Sequence, residues 1–228
     1  MKPKYPTNKG FTLIELLVVM TIIAVLAGVG FQAFTKAQET SRITAATSHL
    51  KDMYNALLQY AQDNSDRYPY KDPKGGNEFA NSNEAFRELF RESILSDEMV
   101  FEVSPSPAVL DGYIGESPEY IEALKQGECH WALVKGASIS SAGAFPLVWE
   151  NSLTGGWDPQ WDPKLDVAMK GRTWSNARVL ILSQGGGAKL HKLDNKETAS
   201  RLQNLGTGSR NVFTQSGQKD SLDPLGLD

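Results

Sequence analysis

The chain has 228 residues, of which 40% are hydrophobic and 22% charged, and its formal net charge is −4. The acidic balance argues against non-specific nucleic-acid binding, which requires clustered Lys and Arg, so no nucleic-acid partner is predicted. Cys129 is the only cysteine, so no intrachain disulfide can form, and a small core residue is favoured over a nucleophile at this position.

The first 31 residues divide into a basic leader and an apolar segment. Residues 1–10 carry Lys2, Lys4 and Lys9 and no acid, which favours a cytoplasmic N-terminus. Residues 11–31 hold sixteen apolar residues, and as a helix they extend about 30 Å, enough to cross a bilayer core. A cleaved secretory signal is the alternative, but its apolar core is usually shorter, about 7–15 residues.

Glu15 lies about one turn into this apolar segment, where an acid is costly and normally has a partner. If the chain is cut after Gly10, the new amine of Phe11 is a cation. Glu15 can then pair with that amine in its own chain or in a neighbour, the second case being an assembly device. The competing interpretation is an interfacial acid whose carboxylate reaches the lipid headgroups. The residues alone leave these alternatives open.

The run Gly10-Phe11-Thr12-Leu13-Ile14-Glu15 resembles the cleavage and methylation motif of type IV prepilins and type II secretion pseudopilins. The resemblance is strong over residues 1–65 and covers the rest only in outline. It implies a bacterial source, cleavage between Gly10 and Phe11 by a prepilin peptidase, and N-methylation of Phe11. It also implies that Glu15 contacts the Phe11 amine of an adjacent subunit during assembly.

The same resemblance implies the fold, partners and location. The expected fold class is α+β, with a long N-terminal helix packed on an antiparallel β-sheet. The expected protein is a single-pass inner-membrane subunit with its globular domain periplasmic, or extracellular after assembly. Its implied partners are further copies in a filament, other pseudopilins, the peptidase, membrane lipid, and an inner-membrane platform with a cytoplasmic ATPase. Many pilus-type pilins close a C-terminal loop with a disulfide, which a chain with a single cysteine cannot form. The prediction therefore favours a type II secretion pseudopilus.

The helix is predicted to continue beyond the membrane over residues 32–65. Residues 32–42 are mostly polar and are interpreted as an exposed neck. Apolar residues then recur at three- and four-residue steps, which predicts a face packed on the globular domain of residues 66–228. These residues are Ile43, Ala46, Leu50, Met53, Leu57 and Tyr60. Gly28 and Gly30 suit either local unwinding on assembly or plain close packing.

The remaining chain reads as mixed helix and strand. Asn81 with Glu84 predicts a capped short helix, and two more helices are predicted at residues 117–127 and 194–206. Strands are predicted at residues 129–134, 145–150, 178–183 and 188–193. The glycines at 185–187 suit a hairpin turn between the last two strands, and no P-loop pattern accompanies them.

Two further features suggest ligands. Trp157 and Trp161 belong to a repeated Trp-Asp-Pro sequence that suits either a sugar or partner contact or a rigid loop folded back on the sheet, and the second is favoured. Asp220, Asp223 and Asp228 supply oxygen ligands of the type calcium prefers, as in the C-terminal loop of major pseudopilins, but a frayed tail is the default expectation. No cofactor is otherwise predicted.

No catalytic constellation emerges, since His49, His130 and His191 lack metal-ligand spacing and no nucleophile elbow is present. The prediction is therefore a structural subunit and not an enzyme. Three alternatives remain, namely a type IV pilus subunit for adhesion, motility or DNA uptake, a membrane-anchored ligand-binding domain, and an anchored enzyme.

Overall fold

A computed structural model describes residues 10–206, 208–217 and 219–227, without the side chains of residues 29 and 30. Its longest element is helix α1, Leu13–Asp63, which is uninterrupted over 51 residues. The chain leaves the helix at Ser65 and Asp66, both in the left-handed region with φ of 55° and 61°. The predicted end of the helix near residue 65 is thereby confirmed.

The chain forms two compact units, with the division in α1 between Ile43 and Thr44. In the first unit, the described side chains of residues 11–28 are exposed, and α1 is long and apolar enough in this part to cross a membrane. In the second unit, the predicted apolar stripe of α1 is buried, as shown by Ala46, Leu50, Met53, Leu57 and Tyr60. The periodicity of the sequence therefore identified the packed face of the outer half of the helix.

A five-stranded antiparallel sheet forms the centre of the second unit. Its strands are β1 (Trp131–Lys135), β2 (Pro146–Glu150), β3 (Arg178–Ser183), β4 (Ala188–Lys192) and β5 (Asp220–Leu222). Their spatial order is β4-β3-β2-β1-β5, so the short last strand pairs with β1 at one edge and β4 forms the other edge. The sheet confirms the α+β class and all four predicted strands.

Helix α2 (Ser82–Arg91) is also confirmed, because the Asn81 side chain accepts a hydrogen bond from Glu84 N at 3.0 Å. A short 3₁₀ turn follows at Glu98–Phe101, and a four-residue helix, α3, covers Val212–Gln215. The packing of α2 against β1 joins the loops of residues 92–128 to one side of the sheet.

Three local predictions are wrong. Residues 117–127 form turns and not a helix, because Tyr120 and Leu124 take positive φ values of 46° and 49°. Residues 194–206 form a loop, in which Ser200 exchanges both backbone hydrogen bonds with Trp161 and so leaves the helical pattern.

The third wrong prediction concerns the C-terminal segment. It is anchored over the described residues and is not frayed. Asp223 O accepts from Ser82 N at 3.1 Å, and Leu225 N donates to the Asn83 side chain at 2.8 Å. Short strands and tails of this kind carry too few residues for a periodic signal, so β5 was missed.

Candidate functional site

The start of α1 forms a small hydrogen-bonded site built from two residues of the predicted motif. Thr12 N and Thr12 Oγ1 donate to Glu15 Oε2 at 2.9 and 2.7 Å, and Glu15 N donates to Thr12 Oγ1 at 3.3 Å. This reciprocal arrangement is a capping box, with Thr12 at the N-cap and Glu15 three positions later. This role of Thr12 and Glu15 was not predicted, although Thr-x-x-Glu before an apolar run is the usual signature of a capping box.

The capping box gives Glu15 a local role in addition to the predicted assembly role. Its carboxylate satisfies the exposed backbone N–H of Thr12 at the helix start, where the helix dipole also favours negative charge. No cation lies within ion-pair distance of Glu15 among the described residues. A cationic amine on Phe11 would therefore find this carboxylate without a competing ion pair in the described chain.

Gly10 and Phe11 are both exposed at the beginning of the described chain, and Phe11 has 79% of its surface accessible. Exposure of this bond is what a peptidase requires, but cleavage and N-methylation remain predictions. The leader lysines Lys2, Lys4 and Lys9 lie outside the described residues.

The two tryptophans of the repeated motif fold back onto the sheet. Trp161 is completely buried, and its Nε1 donates to Asn151 O at 2.8 Å, so it offers no surface to a ligand in this structure. Trp157 is half-buried, donates to Phe213 O at 3.2 Å, and packs edge-on against Trp149 and Phe213. A ligand contact at the remaining surface of Trp157 stays a prediction.

The described acids of the C-terminal segment are engaged with protein groups. Asp220 lies 3.2 Å from Lys135 Nζ, and Asp223 accepts from Gly156 N at 2.9 Å. Asp228, the third residue of the predicted calcium group, lies outside the described residues. Calcium binding here stays a prediction, and it would have to compete with these two contacts.

A different group of carboxylates brings its oxygens together, within 4.8 Å of one another, at Glu98, Asp111 and Glu128. Burial raises the pKa of Glu98 and of Glu128, whereas the hydrogen bond from Lys125 lowers the pKa of Asp111. Both oxygens of Glu98 accept backbone hydrogen bonds, from Leu124 N at 2.5 Å and Gly112 N at 3.2 Å. These contacts explain the cluster as a brace for the loops around it.

The most buried polar cluster centres on His130 and Glu150. His130 Nε2 lies 3.4 Å from Glu150 Oε1, and Glu150 also accepts from Trp174 Nε1 at 2.9 Å and Leu180 N at 2.7 Å. Arg172 Nη2 lies 3.5 Å from the same carboxylate. Burial alone would raise the pKa of Glu150, but Arg172 and the hydrogen bonds lower it, so this carboxylate is ionised in the fold.

The other ring nitrogen of His130 points to a loop. Ser106 Oγ lies 2.6 Å from His130 Nδ1, and Asn151 Nδ2 lies 2.8 Å from the same nitrogen. Burial lowers the pKa of His130, so the ring is neutral, and Nδ1 accepts while Nε2 donates to Glu150. No functional role was predicted for His130, because the three histidines lack metal-ligand spacing in the sequence. The structure places a serine, a histidine and a glutamate in contact, but the ring is completely buried and Asn151 shares its acceptor, which is typical of a polar network that ties a loop to the sheet.

Comparisons with known proteins found similarity over part of the chain. Residues 6–31 match a family model described as the prokaryotic N-terminal methylation motif. The type IV major pilin protein PilA of Myxococcus xanthus is 41% identical over 63 residues, which are 28% of this chain and 28% of that protein.

Two proteins of Thermus thermophilus are similar over shorter stretches. The pilin-like protein PilA3 is 41% identical over 52 residues, 23% of this chain and 22% of that protein. The type IV wide pilus major component PilA4 is 42% identical over 57 residues, 25% of this chain and 44% of that protein. The chain thus spans less than half the length of these relatives, and no solved structure matches it significantly.

The N-terminal segment of this chain is type IV prepilin-like, as its sequence motif indicated. The family model covers residues 6–31, from the leader into α1, and each of these relatives is similar over at most 63 residues.

Proposed function

We propose that this protein is a structural subunit of a type IV filament, anchored in a bacterial inner membrane before assembly and held in the filament by helix α1. The observation that carries the proposal is the start of α1, where an accessible Gly10–Phe11 bond precedes a capped helix with one acid and an exposed apolar surface. Exposed apolar surface of this extent requires either lipid or other helices around it.

The proposed assembly proceeds in four steps. The apolar segment inserts with the leader on the cytoplasmic side, and a peptidase removes residues 1–10. Glu15 then docks against the Phe11 amine of a neighbouring subunit as the subunit leaves the membrane. Copies of α1 pack together in the filament core, so that the surface that faced lipid becomes buried between helices. The contact between subunits is heterologous and does not close, which is what a helical filament requires.

The type of filament divides the proposal in two. The type II secretion pseudopilus is favoured by Cys129, which is buried and alone, so the domain has no disulfide-closed loop. The type IV pilus is favoured by the relatives, two of which are named as pilus components. Deletion of the gene in its native host separates them, because loss of secreted proteins supports the pseudopilus and loss of surface filaments supports the pilus.

The experiment that tests the proposal is the intact mass and N-terminal sequence of the protein recovered from its native membrane. A mature chain that starts at Phe11 and carries one added methyl group supports prepilin processing. A chain that keeps residues 1–10, or is cut beyond Ala27, would contradict the proposal and favour an anchored or secreted domain.

A further inference from the structure

The charges of the second unit are strongly separated along the sequence. Residues 92–128 contain nine acidic side chains and one basic side chain, that of Lys125. Residues 170–210 contain eight basic side chains and two acidic ones, those of Asp194 and Glu197. The two segments are of similar length and carry balances of −8 and +6, far from the net charge of −4 for the whole chain.

The fold keeps the exposed charges of these two segments apart. The acidic segment is bound to α2, because Arg87 Nε donates to Ala123 O at 2.9 Å and Arg91 Nε donates to Glu119 O at 3.0 Å. Helix α2 contacts β1, whereas the basic segment includes β3 and the edge strand β4. Strands β1 and β4 are separated by two others, so about 14 Å lies between them at the usual strand spacing.

The acidic side contains a groove of about 270 Å³, which we call the acidic groove. Its charged lining comprises Asp72, Lys74, Glu88, Arg91, Glu92 and Glu119. Arg91 is bound to Glu88. Glu92 and Glu119 are exposed and have no ion pair within the part of the chain that the structure describes. The groove therefore offers the carboxylates of Glu92 and Glu119 to a positively charged side chain, while its own Lys74 and Arg91 lie near Asp72 and Glu88.

The β4 edge of the sheet presents basic side chains, which we call the basic edge and define as Lys192 and Lys196. Lys192 lies on β4, which pairs with β3 alone among the five strands, and Lys196 follows in the next loop. Both side chains are exposed, and neither forms an ion pair with another described residue. Lys189, three residues before Lys192 on the same strand, points to the other face of the sheet. By contrast, the neighbouring Arg201 is already paired with Asp158 at 3.2 Å.

We propose that the acidic groove of one copy binds the basic edge of a second copy, so that the sheet domains associate head to tail through complementary charge. The two surfaces belong to different elements, the groove to α2 and the loops beside it and the basic edge to β4 and the loop that follows, and each copy offers one of each. Such a heterologous contact repeats without closing. This inference rests on the proposed function, because a filament subunit has further copies of itself as its partners.

The test uses the full-length protein in non-ionic detergent, so that it does not depend on processing or on filament formation. Sedimentation velocity is expected to show self-association at about 50 mM NaCl that weakens at least tenfold at about 500 mM, because salt screens exposed charges over a few ångströms. The variants Lys192→Glu and Glu119→Lys should each weaken association severalfold, and their combination should restore most of it. Lys51→Glu makes the same change of charge at an exposed site on α1 and should have little effect.

Zero-length carbodiimide cross-linking of a mixture of isotopically labelled and unlabelled protein identifies the contact directly. Cross-links that join the basic edge to Glu92 or Glu119 between chains are expected. The proposal would be overturned if self-association did not change with salt or in the variants Lys192→Glu and Glu119→Lys. It would also be overturned if the cross-links between chains joined other residues. The proposal would also be overturned if Lys192→Glu abolished binding to an anionic polymer while Glu119→Lys left self-association unchanged. That result would identify an anionic partner for the basic edge. If the protein associates in this way but keeps residues 1–10 in its native membrane, the inferred contact between copies is supported and the proposed function is contradicted.

Discussion

The ring of Tyr54 on α1 lies directly against the backbone of Gly186 in the turn between β3 and β4. A Cβ atom added to Gly186 would stand 2.8 Å from Tyr54 Cε1, closer than carbon atoms approach. The Tyr54 hydroxyl donates to Gln184 O in the same turn at 3.3 Å. The glycine-rich sequence therefore serves two needs, since Gly186 has a φ of 78° and also lets the turn approach the helix.

Replacement of Gly186 by alanine should destabilise the protein by about 2–5 kcal/mol, because the positive φ costs an alanine about 1–2 kcal/mol and overpacking against Tyr54 adds about 1–3 kcal/mol. The measurement is urea denaturation of the full chain in detergent, followed by tryptophan fluorescence.

Two variants separate these causes. Gly76 has a φ of 68° and open space around its α-carbon, so Gly76→Ala should show the backbone cost alone. In the double variant Tyr54→Ala/Gly186→Ala the clash is absent, so the second substitution should cost little more than Gly76→Ala does. If Gly186→Ala lowers the free energy of unfolding equally with and without Tyr54, the ring of Tyr54 moves aside and no clash contributes.

The buried ring of His130 should make stability depend on pH. Burial lowers the pKa of His130, so the unfolded chain takes up a proton near pH 6.5 while the folded chain does not. The unfolded state then binds more protons, and the free energy of unfolding falls as the pH falls. Between pH 7 and pH 5.5 this group should remove about 1 kcal/mol of stability.

Other groups act in the opposite direction, so the comparison needs a variant. Burial raises the pKa of Glu88, Glu98 and Glu128, and these acids favour the folded state as the pH falls. The variant His130→Gln retains these acids, and the stability of the native protein relative to this variant should therefore decrease by about 1 kcal/mol over the same interval. A difference that stays constant with pH would mean that His130 is protonated in the fold or accessible to water.

Cys129 should be unreactive in the folded protein. It is completely buried, and burial raises the pKa of its thiol to about 12. At pH 8 almost no thiolate is present, so a maleimide should leave the native protein unmodified and add one label in denaturant, as seen by intact mass. The exposed position in Ser96→Cys provides the control, because it should be labelled without denaturant. Rapid labelling of native Cys129 would show that the sheet opens at β1.

Periodicity explains which features were predictable. The stripe of α1 and the apolar runs of β2 and β3 repeat over enough residues to identify a buried face, and Asn81 with Glu84 has a fixed capping distance. The errors occur where a contact distant in sequence decides the local conformation. Leu124 N donates to the Glu98 carboxylate, and Ser200 pairs with Trp161. Neither partner can be predicted from the spacing of nearby residues.

The site shows the same division. The motif around Gly10, Phe11 and Glu15 was readable because its elements are adjacent in sequence. The cluster of Ser106, His130 and Glu150 was not, because its members lie 20 or more residues apart and meet only when the loop before β1 packs on the sheet.

The charge of Glu15 should be needed for assembly, while its hydrogen bonds should be needed only for a regular helix start. In Glu15→Gln the side-chain oxygen can still accept from Thr12 N, so the helix start and the exposed Gly10–Phe11 bond should remain. Without the negative charge, a neighbour's Phe11 amine loses its partner in an apolar surrounding, where an unpaired charge is costly. We therefore expect a mature chain that still begins at Phe11 but yields at least tenfold fewer filaments in the sheared fraction of native cells. Thr12→Ser retains the hydroxyl of the capping box and should assemble normally. Normal assembly of Glu15→Gln would show that Glu15 acts through the capping box alone, since that is the interaction this variant preserves.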